Sequence, residues 1–247
     1  MIGLPINPSH KSNQRGFSLV ELAIVLVIVA LLSGGLVLGL SGQREQILNK
    51  EAQEQLAQIR DSLLGFAMSA GRLPCPANPA LTIQNGGGNE ALICAPADCS
   101  GDKTCALEHG VVPWQTLGLK ETDPWGNRFT YFAGREYSNP LLQSEMDQGM
   151  RTRFTLDTNG RANIQDGAGN NIASAIPAVI VSHGTRSTGA YQPTGAQLPG
   201  AAGDEAENAD ADLTFIAHTP TDSFDDLVTW IIPTVLKSRM VAVGKLP

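Results

Sequence analysis

Glu21 is the only ionisable residue in the 24-residue run from Phe17 to Leu40, which is otherwise built from Leu, Val, Ile, Ala, Phe, Ser and Gly. A carboxylate inside a membrane segment costs roughly 2.5–3.5 kcal/mol on insertion scales, so it calls for a compensating cation. The residues just ahead of it suggest one. Cleavage between Gly16 and Phe17 would make Glu21 the fifth residue of the shortened chain, one helical turn from a new α-amino group. Two such helices side by side could pair the amine of one with Glu21 of the next and neutralise both charges in lipid. That chemistry is assembly, not catalysis.

Two further groups of residues could bind or cross-link. All four cysteines, Cys75, Cys94, Cys99 and Cys105, fall in a loop-like stretch that also holds Gly86-Gly87-Gly88. On the exported side of a membrane an even count reads as two disulfides, for which three pairings exist. Cys75 with Cys105 and Cys94 with Cys99 is the favoured arrangement, the outer bridge closing the loop on the end of a helix and the inner one stapling a small turn. A zinc site from Cys94, Cys99, Cys105 and His109 is the alternative, but its spacings match none of the usual CxxC pairs. Near the C-terminus, Asp222, Asp225 and Asp226 crowd three carboxylates together. Oxygen ligands of this kind suit Ca²⁺, with a solvated capping turn as the other reading.

Enzyme motifs are incomplete. Ile180-Val181-Ser182-His183-Gly184 lacks the first glycine of a nucleophile elbow, and Gly167-Ala168-Gly169-Asn170-Asn171-Ile172 lacks the last glycine of a dinucleotide loop. Ser182 and His183 have no assigned acid and read as satisfied polar residues at a strand end. No enzyme is expected. The formal charge of −7 becomes −9 once Lys11 and Arg15 are removed with residues 1–16. Apart from Arg151 and Arg153 the basic residues of the rest are scattered singly, so no nucleic-acid partner is expected.

The elements that must position these residues follow from periodicity. The run from Phe17 to Leu40 is long enough to cross a hydrocarbon core of ~30 Å as a helix. Lys11 and Arg15 precede it with no acidic neighbour, which keeps that end in the cytoplasm and sends the rest outward. A secretory signal has a shorter apolar core of about 7–15 residues, with its cleavage site behind it. Here the glycine comes first, so the helix stays as an anchor. Gly34, Gly35, Gly39 and Gly42 soften its second half. Beyond Ser41, Leu48, Ala52, Leu56, Ile59, Leu63 and Phe66 recur at steps of three or four and predict one continuing helix, roughly 80 Å long to about Ser69. A coiled coil with a partner is the competing reading of this stripe. Gly71 and Leu73-Pro74-Cys75-Pro76 end the helix.

In the remainder, Asp123-Pro124-Trp125-Gly126-Asn127 predicts a turn leading into a strand that carries Phe129 and Tyr131. Further strands are predicted at Arg153–Asp157, Ala178–Ser182, Leu213–His218 and Asp226–Ile232. Pro233 opens a short helix that reaches Val243. Residues 184–212, rich in Gly, Ala, Thr, Pro and acids, read as an exposed, mobile loop.

Gly16-Phe17-Ser18-Leu19-Val20-Glu21, followed by the apolar run, resembles the leader and anchor of type IV pilins and type II secretion pseudopilins. The Asp123–Asn127 turn resembles one found in major pseudopilins. The resemblance implies that a membrane prepilin peptidase cuts after Gly16 and methylates Phe17, and that Glu21 sets register between subunits. It also implies a calcium loop before the Asp225-to-Trp230 segment, although the loop here is longer than the family's. The expected fold is α+β and pilin-like: a long N-terminal helix packed on an antiparallel sheet of four to five strands, a disulfide-stapled loop and a short C-terminal helix. Its parts would be a cleaved leader (1–16), a transmembrane assembly helix (17–40), its amphipathic continuation (41–70) and a periplasmic head (71–247). The implied function is that of a structural subunit of a pilus or pseudopilus, by its elaborate head a minor one. Its partners would be prepilin peptidase, other subunits, an inner-membrane assembly platform and lipid. A fibre-displayed binding module and a membrane-tethered periplasmic enzyme are the alternatives.

Overall fold

The structure, a computed structural model, describes residues 18–96 and 101–247, and the side chains of residues 32–43 lie outside that description. Gly16, Phe17 and Cys99 are therefore outside the described residues, and with them the expected processing site and the expected Cys94–Cys99 bridge. Two compact units divide the chain, residues 1–46 and residues 47–247.

Helix α1 (Leu19–Ala70) begins in the first unit. Leu19, Val20, Leu22, Ile24, Val25, Leu26, Val27, Ile28, Val29 and Leu31 are all exposed there. They leave no polar face, and a helix that is apolar all round needs apolar surroundings. Among the described residues no helix is long and apolar enough to cross a membrane. The described side chains of the apolar run end at Leu31.

In the second unit α1 buries Ala52, Leu56, Ile59, Leu63, Leu64 and Ala67. These spacings of three and four draw one face of the helix. That face meets Tyr131, Ala133, Ala178 and Ile180 together with Leu236 and Met240. The stripe is thus taken up within its own unit. Leu48 and Phe66, expected on the same stripe, are only half-buried. The helix stops at Gly71, whose N–H bonds to the Ala67 carbonyl at 2.8 Å. Gly71 has φ +79°, and a Cβ there would lie 2.1 Å from the Arg151 carbonyl oxygen. Only glycine fits both demands.

After α1 come β1 (Leu92–Ala95), β2 (Asp102–Cys105), β3 (His109–Val111), α2 (Trp114–Leu117), β4 (Thr130–Ala133), α3 (Arg135–Ser138) and α4 (Gln143–Asp147). Then follow β5 (Ala162–Gln165), β6 (Asn171–Ile176), β7 (Ala178–Ser182), α5 (Asp204–Glu207), β8 (Thr214–Ile216), β9 (Leu227–Trp230) and α6 (Pro233–Ala242). An antiparallel sheet in the order β3-β4-β7-β9 forms the centre, with β1-β2 as a separate hairpin and β6-β5-β8 as a second layer. All five residues of β7 are buried. Ala178 and Ile180 face the helices, while Val179 and Val181 pack with Phe132, Ile164, Ile176 and Phe215. A strand covered on both faces needs no polar alternation.

Three sequence expectations change. No strand forms at Arg153–Asp157, and the next strand is β5. Thr152 and Phe154 are buried with Arg153 between them, which imitates strand alternation. Their burial comes instead from side-chain packing, Phe154 lying on the Tyr137 ring at 4.7 Å, while Arg153 pairs with Glu145 at 3.2 Å. The second layer is not wholly antiparallel, because β8 runs parallel to β5. Residues 184–212 are not simply an exposed loop: Gly189, Ala190, Glu205 and Asn208 are buried. Arg128, itself fully buried, donates its backbone N–H to Tyr191 and a guanidinium N–H to Pro193. The same guanidinium pairs with Glu121 and lies over the Trp114 ring. Small residues let this segment approach closely enough for backbone bonding to replace the apolar contacts it lacks.

Candidate functional sites

In the first unit, Ser18 and Glu21 cap the start of α1. Glu21 N–H donates to Ser18 Oγ, and Ser18 N–H donates to Glu21 Oε2, both at 3.1 Å. Leu22 N–H makes the first helical bond, to the Ser18 carbonyl. This reciprocal arrangement satisfies two donors that a helix start leaves without partners. It also places the carboxylate at the positive end of the helix dipole. Glu21 therefore has a local role within its own chain, one the sequence reading did not assign.

At the end of α1, a disulfide joins Cys75 to Cys105. It removes Cys105 from the zinc set of Cys94, Cys99, Cys105 and His109, so that alternative is overturned. His109 lies instead against the Phe132 ring at 4.7 Å. Beside the bridge, Arg72 forms a two-pronged pair with Glu90, at 2.6 and 3.0 Å, and Glu90 also accepts the Cys75 N–H. The helix end, the bridge and β2 are thereby locked together.

The Asp123–Asn127 turn is held by its first residue. Asp123 Oδ1 accepts the N–H groups of Trp125 and Asn127, and Oδ2 accepts the Ser182 hydroxyl at 2.7 Å. Burial pushes the Asp123 carboxyl above its usual range, although these donors pull against it. Ser182 is thus committed to Asp123. It makes no pair with its neighbour His183, which bonds Thr130 Oγ1 through Nε2 at 2.9 Å and faces Asp226 Oδ1 through Nδ1 at 3.4 Å.

Next to Asp226 the structure gathers a carboxylate cluster. Glu205, Asp225 and Asp226 each bring an oxygen to within 4.8 Å of the others. Of the three predicted acids, Asp225 and Asp226 are brought together, while Asp222 offers its backbone carbonyl to Arg186. Glu205 takes part instead. It accepts from Arg186, from Thr188 Oγ1 at 2.7 Å and from Asp225 N–H. Burial raises the Glu205 carboxyl, but the Thr188 and Arg186 donors outweigh it and hold the group below its usual range. Asp225 is pushed up, first by burial and then by the neighbouring Glu205, against the Arg186 N–H. Asn208 bridges the Asp226 carboxylate and the Ile216 backbone. Sequence reasoning missed Glu205, Asn208 and Arg186. The only local hint was the acidic run Asp204-Glu205-Ala206-Glu207 inside a segment read as loop.

No curated protein and no solved structure matches the chain. One family model does, the prokaryotic N-terminal methylation motif, over residues 11–37. That interval contains both members of the Ser18–Glu21 cap, and the chain therefore carries an N-terminal methylation motif, consistent with a type IV pilin or pseudopilin.

Proposed function

We propose that the protein is a structural subunit, of the minor kind, of a type IV pilus or a type II secretion pseudopilus. The observation that carries this reading is the methylation motif over residues 11–37, which coincides with a capped carboxylate at the start of an apolar helix. In this reading prepilin peptidase cuts after Gly16 and methylates Phe17, α1 is held in the inner membrane, and the second unit stands in the periplasm. Other subunits and the membrane assembly platform are its partners. Polymerisation exchanges helix–lipid contacts for helix–helix contacts. It is guided by Glu21, whose buried charge is compensated by a neighbour's terminal amine and, within its own chain, by the Ser18 N–H. The long 184–226 segment and the second sheet layer make the head larger than a shaft subunit requires, which supports the minor role.

Mass spectrometry of the protein from membranes and from sheared surface fibres tests the reading, with Glu21→Ala alongside wild type. The expected wild-type chain begins at methylated Phe17 and is found in fibres; the variant is processed and absent from them. Processed wild type confined to membranes selects the pseudopilus. A chain that still begins at Met1 overturns the proposal.

A further inference from the structure

Thr130 opens β4, His183 follows β7 and Asp226 precedes β9. These three strands are neighbours in the central sheet, and the registers Thr130 to Val181 and Ser182 to Leu227 bring the three residues to the same end of it. Their side chains meet in sequence. Thr130 Oγ1 lies 2.9 Å from His183 Nε2, and His183 Nδ1 lies 3.4 Å from Asp226 Oδ1, with the histidine and the aspartate wholly buried.

The network fixes the tautomer. His183 Nδ1 and Asp226 Oδ1 make no hydrogen bond to any other group among the described residues. A carboxylate accepts and cannot donate, so the imidazole proton belongs on Nδ1 facing Asp226, and Nε2 is left to accept from the Thr130 hydroxyl. Asp226 is aimed from behind: its Oδ2 accepts from Asn208 Nδ2 at 2.9 Å, and the Asn208 amide is itself held by the Ile216 backbone. Hydroxyl, imidazole and carboxylate in this order turn an alcohol into a nucleophile, with the base held by a third group. The 3.4 Å spacing is looser than a closed hydrogen bond, as is common before substrate is bound.

Space is provided beside the hydroxyl. Thr130 lines a cavity of about 60 Å³ with Gly110, Tyr191, Gln197, Asn208 and Ala211. Gln197 and Ala211 are exposed and form its rim. Such a volume admits a short acyl group or a water and excludes a long chain. Ala211 is held at φ +63°, a left-handed conformation for a residue with a Cβ, and strain of this kind gathers at reactive sites. A histidine kept only for packing needs no open space beside its hydroxyl partner.

We infer that Thr130, His183 and Asp226 form an acyl-transfer site that cleaves esters of short acyl groups, with Thr130 as nucleophile, His183 as base and Asp226 as the residue that positions it. Thr130 Oγ1 bonds the acyl carbon as its proton passes to His183 Nε2; the ester C–O bond breaks, and the departing alcohol takes that proton. Water then attacks the acyl-threonine and gives its proton to Nε2. The bond to Thr130 breaks, Oγ1 recovers the proton and the carboxylic acid leaves. The inference does not depend on the fibre reading.

The test uses the full chain in detergent with p-nitrophenyl acetate as probe. Wild type is expected to release p-nitrophenolate, and peptide mapping after acid quench should place an acetyl group on Thr130. His183→Gln should lower kcat/KM roughly a hundredfold or more, and Asp226→Asn should lower kcat with little change in KM. Thr130→Val, which keeps a branched side chain on the strand, should abolish both acetylation at this position and turnover, whereas Thr130→Ser should restore them. The inference is overturned if acetyl groups in wild type appear on lysines alone, if wild type and folded Thr130→Val hydrolyse the probe equally, or if folded Thr130→Ser is neither acetylated nor active. Mapping of the wild type needs no variant, so a misfolded mutant cannot protect the idea.

Discussion

Ser18 and Glu21 cap one another: each side chain accepts the other's backbone N–H at 3.1 Å. The carboxylate that would register subunits is thus held by the Ser18 N–H, while the Ser18 hydroxyl fixes the Glu21 backbone at the helix start. Ser18→Ala removes one of the two bonds and costs the helix start about 1 kcal/mol. The expected phenotype lies between wild type and Glu21→Ala: normal processing, with a reduced share of the protein in fibres relative to membranes. Quantitative immunoblotting of the two fractions measures it, and incorporation equal to wild type would remove Ser18 from the assembly site.

Glu90 joins three parts of the second unit, since its carboxylate pairs with Arg72 and accepts the Cys75 N–H after α1, and its own N–H donates to Thr116 Oγ1 of α2. Both charged side chains are mostly buried, at 15% and 11% exposure, so loss of one partner leaves the other short of both solvent and counter-charge. Glu90→Ala should destabilise the protein by about 3–5 kcal/mol. Urea denaturation of the solubilised chain reads this directly, and a loss below about 1 kcal/mol, the scale of a surface pair, would contradict it.

Gly71→Ala combines two penalties, a positive φ and a Cβ placed against the Arg151 carbonyl. Strain of this sort costs about 1–3 kcal/mol before any backbone shift. The same substitution at Gly65, helical and with nothing near its Cβ position, should instead stabilise by about 0.4–1 kcal/mol. Opposite signs in one thermal-melt series are the expected result.

Acid sensitivity should include a part due to His109. Burial holds its imidazole below the ordinary value of 6.5, outweighing the nearby carboxylates of Glu108, Asp212 and Asp210. The unfolded chain therefore takes up a proton on this side chain before the folded one does. Stability from this group is complete above the unfolded value and is lost as pH falls through 6.5 toward the folded value. His109→Phe, which keeps an aromatic ring against Phe132 and Phe215, should flatten the fall of the melting midpoint between about pH 7 and about pH 5. Parallel curves for the two proteins would place the acid sensitivity elsewhere.

What was legible in the sequence is what neighbouring residues impose on one another. The methylation motif, the apolar run, the stripe that buries Leu56, Ile59 and Leu63, the glycine stop at Gly71 and the proline start of α6 are all local patterns, read from spacing and backbone preference. β7 was legible too, because five consecutive apolar or small residues between turns suit a strand buried on both faces. Tertiary structure decided the rest, through pairings between residues far apart in the chain. Spacing allowed Cys75 three partners, and the meeting of the α1 end with β2 selected Cys105. Alternation suggested a strand at Arg153–Asp157, but a strand needs a neighbour with free N–H and C=O groups, and that ladder formed at β5. Glu205 joined Asp225 and Asp226 across a stretch that includes β8, and His183, from the end of β7, met Asp226. Buried charges are placed by whichever segments fold over them, and that is a property of the packed chain which no local window contains.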